Sequence, residues 1–133
     1  MVSVLLDTHI LVWWLTDPSK VSKEQSVLLN QLERDGRPAA ISAITMWEAA
    51  MLVHRGRIEV TSSLDSWIGE LETHPLLDIL PITARIAAES VRLDDTFPKD
   101  PADRLIVATA RCHGLTLITA DQHIRNWGKV PLL

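Results

Sequence analysis

D-P-A-D-R-L-I-V-A-T-A-R-C-H-G-L-T-L-I-T-A-D, running from Asp100 to Asp121, is the stretch whose reading decides the fold. Asp100 is a good helix N-cap, and Pro101 suits the first helical position, where its missing N–H costs nothing. Asp103 adds a negative charge to the first turn, where the helix macrodipole favours it. The helix closes at Gly114, and the apolar run Leu115 to Thr119 that follows has the length and composition of a strand. A helix leading straight into a short apolar strand is half of a strand–helix–strand unit.

Working outward, the same alternation recurs. Val2 to Leu6 is an apolar, β-branched-rich run that predicts a buried strand ending at Asp7. His9 to Leu15 reads as a helix closed by Asp17-Pro18, and Ser22 to Asp35 as a second, opened by a Ser-x-x-Gln capping box and ended by Gly36. Ala39 to Ser42 is a strand, followed by a helix from Ile44 to Arg55 that Gly56 terminates. Leu64 to Thr73 is a helix stopped by Pro75, Leu77 to Leu80 a strand, and Thr83 caps a helix reaching Leu93. Asp121 to Trp127 is a short helix, and Val130 to Leu133 predicts an edge strand. The expected fold is an α/β sandwich with a mainly parallel central sheet, one domain over residues 1–133.

Composition narrows the function classes. A hydrophobic fraction of 47% and a charged fraction of 23% are those of a globular protein. The single Cys112 predicts no disulfide and suits a reducing cytosol, with its thiol acting as a small hydrophobe in a helix. No leader pattern opens the sequence and no apolar stretch is long enough for a membrane span, so a cytoplasmic protein is expected. A net charge of -4 opposes nucleic-acid binding. Two divalent cations held by carboxylates would add +4 and cancel that -4, so the bare count does not decide the partner.

In open α/β sheets ligands gather beyond the carboxyl ends of the strands. Asp7 follows the first strand, Asp121 lies just beyond the last, and Glu48 and Asp103 sit in early turns of helices starting from the same edge. Each acid also has a local structural explanation. Asp100 and Asp121 can cap helices, Thr45-x-x-Glu48 matches a capping box, Asp103 complements a dipole, and Asp7 can begin a loop. What distinguishes them is convergence: two unit charges roughly 5 Å apart repel by about 3 kcal/mol at an effective dielectric near 20. Several such acids together call for a cation. Hard oxygen donors without cysteine or paired histidine favour Mg2+ or Mn2+, and such sites cleave phosphodiesters.

Other chemistries leave little trace. The glycines at 36, 56, 69, 114 and 128 are too scattered for a Walker loop or a dinucleotide fingerprint. There is no Gly-x-Ser-x-Gly elbow, and His9, His54, His74, His113 and His123 lack His-Glu-x-x-His spacing. A dehalogenase-type phosphatase would want a second acid two residues after Asp7, where His9 stands.

V-L-L-D-T-H-I-L-V-W-W-L (Val4 to Leu15), S-A-I-T-M-W-E-A-A (Ser42 to Ala50), D-P-A-D-R-L-I-V-A-T-A (Asp100 to Ala110) and L-I-T-A-D (Leu117 to Asp121) together resemble the PIN-domain family, in particular its VapC-type toxins. The segments occur in family order and span nearly the whole chain. The resemblance implies a PIN-like α/β/α sandwich and an acidic metal-binding quartet of Asp7, Glu48, Asp103 and Asp121, with Thr8 and Thr119 supporting it. It aligns Asp103 with the third acid and leaves Asp100 to the N-cap.

The activity so implied is Mg2+- or Mn2+-dependent hydrolysis of RNA, leaving a 5′-phosphate and a 3′-hydroxyl. The implied partners are an RNA substrate, a VapB-like antitoxin lying in an apolar groove, and a second copy of the chain. Arg55, Arg57 and Arg104 are candidate phosphate contacts. Trp13, Trp14 and Trp47 are candidates for the antitoxin groove; stacking on RNA is open to them too, though core or partner packing is favoured. A non-cleaving RNA- or protein-binding module, a DNA nuclease and a metal phosphatase stay open as alternatives.

Overall fold

In the computed structural model, which describes residues 2–133, the chain alternates strand and helix as the sequence leads one to expect. Its elements are β1 (Val4–Leu6), α1 (Thr8–Thr16), α2 (Lys23–Arg34), β2 (Ala39–Ser42), α3 (Ala43–His54) and α4 (Leu64–Glu72). They continue as β3 (Leu77–Leu80), α5 (Ala84–Arg92), α6 (Pro101–His113), β4 (Thr116–Ile118) and α7 (Gln122–Trp127), with a 3-10 turn at Pro18–Lys20.

The strands form one sheet in the order β3-β2-β1-β4, and every pairing is parallel. Because both faces carry helices, β1 and β2 are buried along their whole length, which is why they read as unbroken apolar runs. Alternate side chains feed two cores. Leu6, Ile41 and Ile118 join Ile10, Leu11, Leu29, Leu32, Trp67 and Leu71 on one face. Leu5, Ala40 and Leu117 join Phe97, Ile106, Val107 and Ile124 on the other. The result is a three-layer α/β/α sandwich. The expected edge strand at Val130 to Leu133 shrinks to one parallel bridge, Leu117 with Leu132. Among the described residues no helix is long and apolar enough to cross a membrane.

Local signals act where the sequence put them. Ser22 and Gln25 form the reciprocal capping box of α2, Thr83 caps α5, and Gly114 ends α6 at φ 64 in the left-handed region. The α3 cap differs: Ser42, not Thr45, accepts from the first turn, which frees Thr45 and Glu48 for other partners. Cys112 is half-buried, its Sγ 4.0 Å from the Arg85 carbonyl, rather than a core residue.

Sheet order also locates the site. The chain leaves β1 toward β2 and β3 and returns to place β4 on the opposite side of β1. The carboxyl ends of β1 and β4 therefore border a topological switch point, the crevice where open α/β sheets bind ligands.

Candidate active site

Asp7 emerges from β1 directly into this crevice and is 5% exposed. Its Oδ1 accepts from Thr8 N at 2.8 Å, and its Oδ2 accepts from Thr119 Oγ1 at 2.6 Å. Burial pushes its carboxyl above the usual range, and Asp121 adds to this; the two hydrogen bonds and His9 pull the other way.

Thr119 follows β4, the strand paired with β1, and its hydroxyl also accepts from Asp121 N at 3.0 Å. Asp121 does cap α7: its Oδ1 accepts from His123 N and Ile124 N. Its Oδ2 has no hydrogen-bond partner among the described residues.

Glu48 arrives from the second turn of α3. Thr8 Oγ1 donates to Glu48 Oε1 at 2.6 Å and, with its proton so used, accepts from Thr45 Oγ1 at 3.1 Å. Burial raises the Glu48 carboxyl first, and Asp7 and Asp100 raise it further, against the Thr8 bond and His9.

Asp103, in the first turn of α6, is half-buried and its carboxyl accepts no hydrogen bond among the described residues. Burial comes first among the causes that push it up to about 7, followed by Asp7, Asp100, Asp121 and Glu48. Acids from four separate elements thus act on one carboxyl. Asp100 itself is half-accounted for: its Oδ1 caps α6 by accepting from Ala102 N and Asp103 N.

The donor set suits a hard divalent cation. Both oxygens of Asp103, Oε2 of Glu48 and Oδ2 of Asp121 are unpaired among the described residues, and all are carboxylate oxygens. Among the described residues no three acidic, histidine or cysteine side chains lie close enough to grip one ion together. Mg2+ does not require that, since it keeps several waters and is usually held by one or two carboxylates plus substrate phosphate.

Two concavities flank the acids. One, of about 250 Å³, is lined by Asp7, His9, Trp13, Ala120 and Asp121. The other, of about 470 Å³, is lined by Glu48 and Asp100 with Ile44, Trp47, Met51, Pro101 and Ala102. Trp47 is 55% exposed on its rim, whereas Trp13 and Trp14 pack half-buried against the first core.

The arginines divide. Arg55 and Arg57 are exposed at and beyond the end of α3. Arg104, expected as a phosphate contact, turns inward instead. Its Nε donates to Pro98 O, NH1 to Ser90 O and Leu93 O, and NH2 to Phe97 O, all at 3.1–3.3 Å. Its guanidinium clasps the segment before α6 and also lies 5.6 Å from the Phe97 ring centre, which removes it from the candidate RNA contacts.

The site roles of two residues, read from the sequence only as parts of capping boxes, escaped the sequence reading. Thr45, fully buried, supports Thr8; its position three residues before Glu48, on the same helical face, was the available signal. Gln25 donates through Nε2 to Thr119 O at 3.1 Å and Leu133 O at 2.9 Å while completing its capping box. No local pattern announces a contact between residues so far apart.

Known proteins fall in line with this arrangement. A family model described as PIN domain matches residues 4–130. Ribonuclease VapC22 of Mycobacterium tuberculosis is 37% identical over 126 residues, covering 95% of this chain and 92% of that protein. A toxin–antitoxin complex from Klebsiella pneumoniae contains a chain 26% identical, with a TM-score of 0.66 over 98% of this chain and 96% of that one. VapBC2 from Rickettsia felis, solved bound to a DNA fragment from its promoter, reaches a TM-score of 0.72 at 18% identity, covering 100% and 98%; this likeness shows the fold. With its parallel sheet, its acids at the switch point and a family match along nearly its whole length, this chain belongs to the PIN-domain family.

Proposed function

We propose that this chain is a Mg2+- or Mn2+-dependent endoribonuclease, and that it serves as the cytoplasmic toxin of a VapBC-type toxin–antitoxin pair. The observation that carries the reading is Asp103: an unpaired carboxyl raised to about 7 by burial and by the neighbouring carboxylates Asp7, Asp100, Asp121 and Glu48. A cluster so poised is completed by a cation. The ribonuclease name of the 37% identical relative supports RNA as the substrate. The family match over residues 4–130 supports a single nuclease domain.

Asp7, Glu48, Asp103 and Asp121 are the proposed ligands, with one or two of them on any one ion and water and substrate phosphate completing its shell. When bound, the ion supplies Lewis-acid polarisation of the scissile phosphate, activation of the attacking water, and neutralisation of charge on the leaving oxygen. Thr8 N and Thr119 Oγ1 fix the plane of the Asp7 carboxylate, so that it needs no reordering during reaction. Thr8 holds Glu48 through Oε1, which leaves Oε2 to orient water. Water adds to phosphorus as the bond to the 3′ oxygen breaks, and the proton lost by water ends on that oxygen. No covalent enzyme intermediate is required. Arg55 and Arg57 are proposed contacts for flanking phosphates.

The groove of about 470 Å³ beside Glu48, with Trp47 at its rim, is the proposed seat of the antitoxin, Trp13 and Trp14 being the other proposed contacts; a homodimer is proposed from the family resemblance. Purified protein should cleave RNA only with added Mg2+ or Mn2+, and Asp7→Asn and Asp103→Asn proteins that still fold should not. Equal cleavage by these variants would point to a contaminant and overturn the reading. Preferential cutting of single-stranded DNA or a phosphomonoester would replace it.

A further inference from the structure

Two of the proposed ligands sit at the starts of helices that meet in the second core. Asp103 lies in the first turn of α6 and Asp121 caps α7, and the charge of Asp121 acts on Asp103. Directly after Asp103, Arg104 is spent on the loop between α5 and α6: its NH2 donates to Phe97 O at 3.3 Å, and its guanidinium lies 5.6 Å from the Phe97 ring centre. The buried Phe97 ring in turn meets the Trp127 indole edge-to-face, with centres 4.9 Å apart and planes at 81°. Trp127 is the last residue of α7, a helix of only 6 residues, so a shift at the indole carries to Asp121 at its other end. The loop also holds the indole by its polar edge. Asp94 Oδ1 accepts from Trp127 Nε1 at 3.1 Å and from Thr96 N at 3.0 Å, and Oδ2 accepts from Lys129 Nζ at 2.6 Å. Further along α6, the Arg111 guanidinium lies 5.9 Å from the Trp127 ring centre. None of Asp94, Phe97, Arg104 and Trp127 lines either concavity beside the acids.

We infer that Arg104, Phe97, Trp127 and Asp94 are positioning residues: they brace α6 against α7, fix the spacing of Asp103 and Asp121, and so make the site prefer Mg2+ to the larger Ca2+. This rests on the metal-dependent reading above. Mg2+ demands near-ideal octahedral geometry at about 2.0–2.1 Å, whereas Ca2+ accepts looser arrangements at about 2.3–2.6 Å. Carboxylates on two separate helices meet the stricter demand only where the helices do not shift against each other. An edge-to-face ring pair closed at one side by a hydrogen bond and at the other by a guanidinium resists that shift, because each of these contacts weakens as the rings slide.

The test measures the affinities for Mg2+ and for Ca2+ separately, by calorimetry on the protein without RNA at pH 8. Trp127→Leu removes both the ring contact and the indole donor. It should weaken Mg2+ binding about tenfold and leave Ca2+ binding nearly unchanged. Trp127→Phe keeps a ring against Phe97 and loses the bond to Asp94, so it should cost Mg2+ less. Asp94→Ala, at a partly exposed position, should do likewise and carries the test where Trp127→Leu does not fold. Leu71→Ala is the control: it opens a cavity in the first core, on the other face of the sheet, and should lower the melting temperature while leaving the ratio of the two affinities as in wild type. A role in folding alone would lower the melting temperature in every variant and move the ratio in none.

A Mg2+-to-Ca2+ affinity ratio unchanged in Trp127→Leu and Asp94→Ala, or lowered as much in Leu71→Ala, overturns the brace while leaving the metal-dependent reading standing. So does a wild-type protein that binds Ca2+ as tightly as Mg2+. A wild-type protein that binds neither ion at millimolar concentration overturns the metal-dependent reading and this inference with it.

Discussion

Thr119 Oγ1 donates to Asp7 Oδ2 over 2.6 Å, joining residues 112 positions apart at the adjacent carboxyl ends of β4 and β1. The same oxygen accepts from Asp121 N at 3.0 Å, so one hydroxyl sets the place of two candidate ligands. Thr119→Val would leave a buried carboxyl short of one donor, at a cost of about 1.5–3 kcal/mol for a hydrogen bond to a charged group. We expect a lower urea midpoint at unchanged m-value, and a large loss of RNA cleavage. Thr119→Ser should recover most of both. A valine variant as stable and as active as wild type would mean that this bond does nothing.

Asp103 makes the metal-free protein sensitive to pH. Its carboxyl normally titrates at 3.8 and is raised in the fold to about 7, so between these values the folded chain holds a proton that the unfolded chain does not. Stability from this group is fully present below 3.8 and is lost as pH rises through about 7. In chelator, the melting temperature should therefore fall by a few degrees from pH 6 to pH 8. Mg2+ should reverse that fall by favouring the ionised form, with affinity rising across the same interval. A metal-free melting temperature that rises over this interval would contradict the assignment.

Asp103→Asn separates stability from function. It removes a charge that Asp7, Asp100, Asp121 and Glu48 oppose. The metal-free variant should melt at or above wild type at pH 8, lose the pH slope described above, and gain little from Mg2+. Its cleavage of RNA should be abolished. Retained cleavage would remove Asp103 from the proposed ligands.

Arg104 should behave as a structural clasp. Arg104→Gln gives up most of the bonds to the carbonyls of Ser90, Leu93, Phe97 and Pro98, and we expect a loss of about 2–4 kcal/mol by denaturant titration. Arg55→Gln and Arg57→Gln should barely alter stability and should flatten the salt dependence of RNA binding. The reverse pattern would restore Arg104 to the RNA contacts.

Thr45→Val removes the hydroxyl that donates to Thr8, whose own proton goes to Glu48. Cleavage should fall severalfold with RNA affinity retained, and Thr45→Ser should rescue it. Loss of folding in both variants would reduce Thr45 to a packing residue.

Local pattern and tertiary contact divide this protein cleanly. Strand runs, caps at Ser22, Thr83 and Asp100, and the stop at Gly114 depend on neighbours a few residues away, so the order of elements and the sheet's parallel character were legible in the sequence. So were the positions of Asp7, Glu48, Asp103 and Asp121 at one end of those elements. What each side chain does there was not. Asp121 both caps α7 and faces the cluster, Arg104 turns inward, Thr45 serves Thr8 rather than a cap, and Gln25 reaches Thr119. Those outcomes depend on which segments the sheet order brings within hydrogen-bond reach, and on how much water the packing removes. Hydrogen bonding and desolvation act through distances in space, whereas a sequence records only distances along the chain.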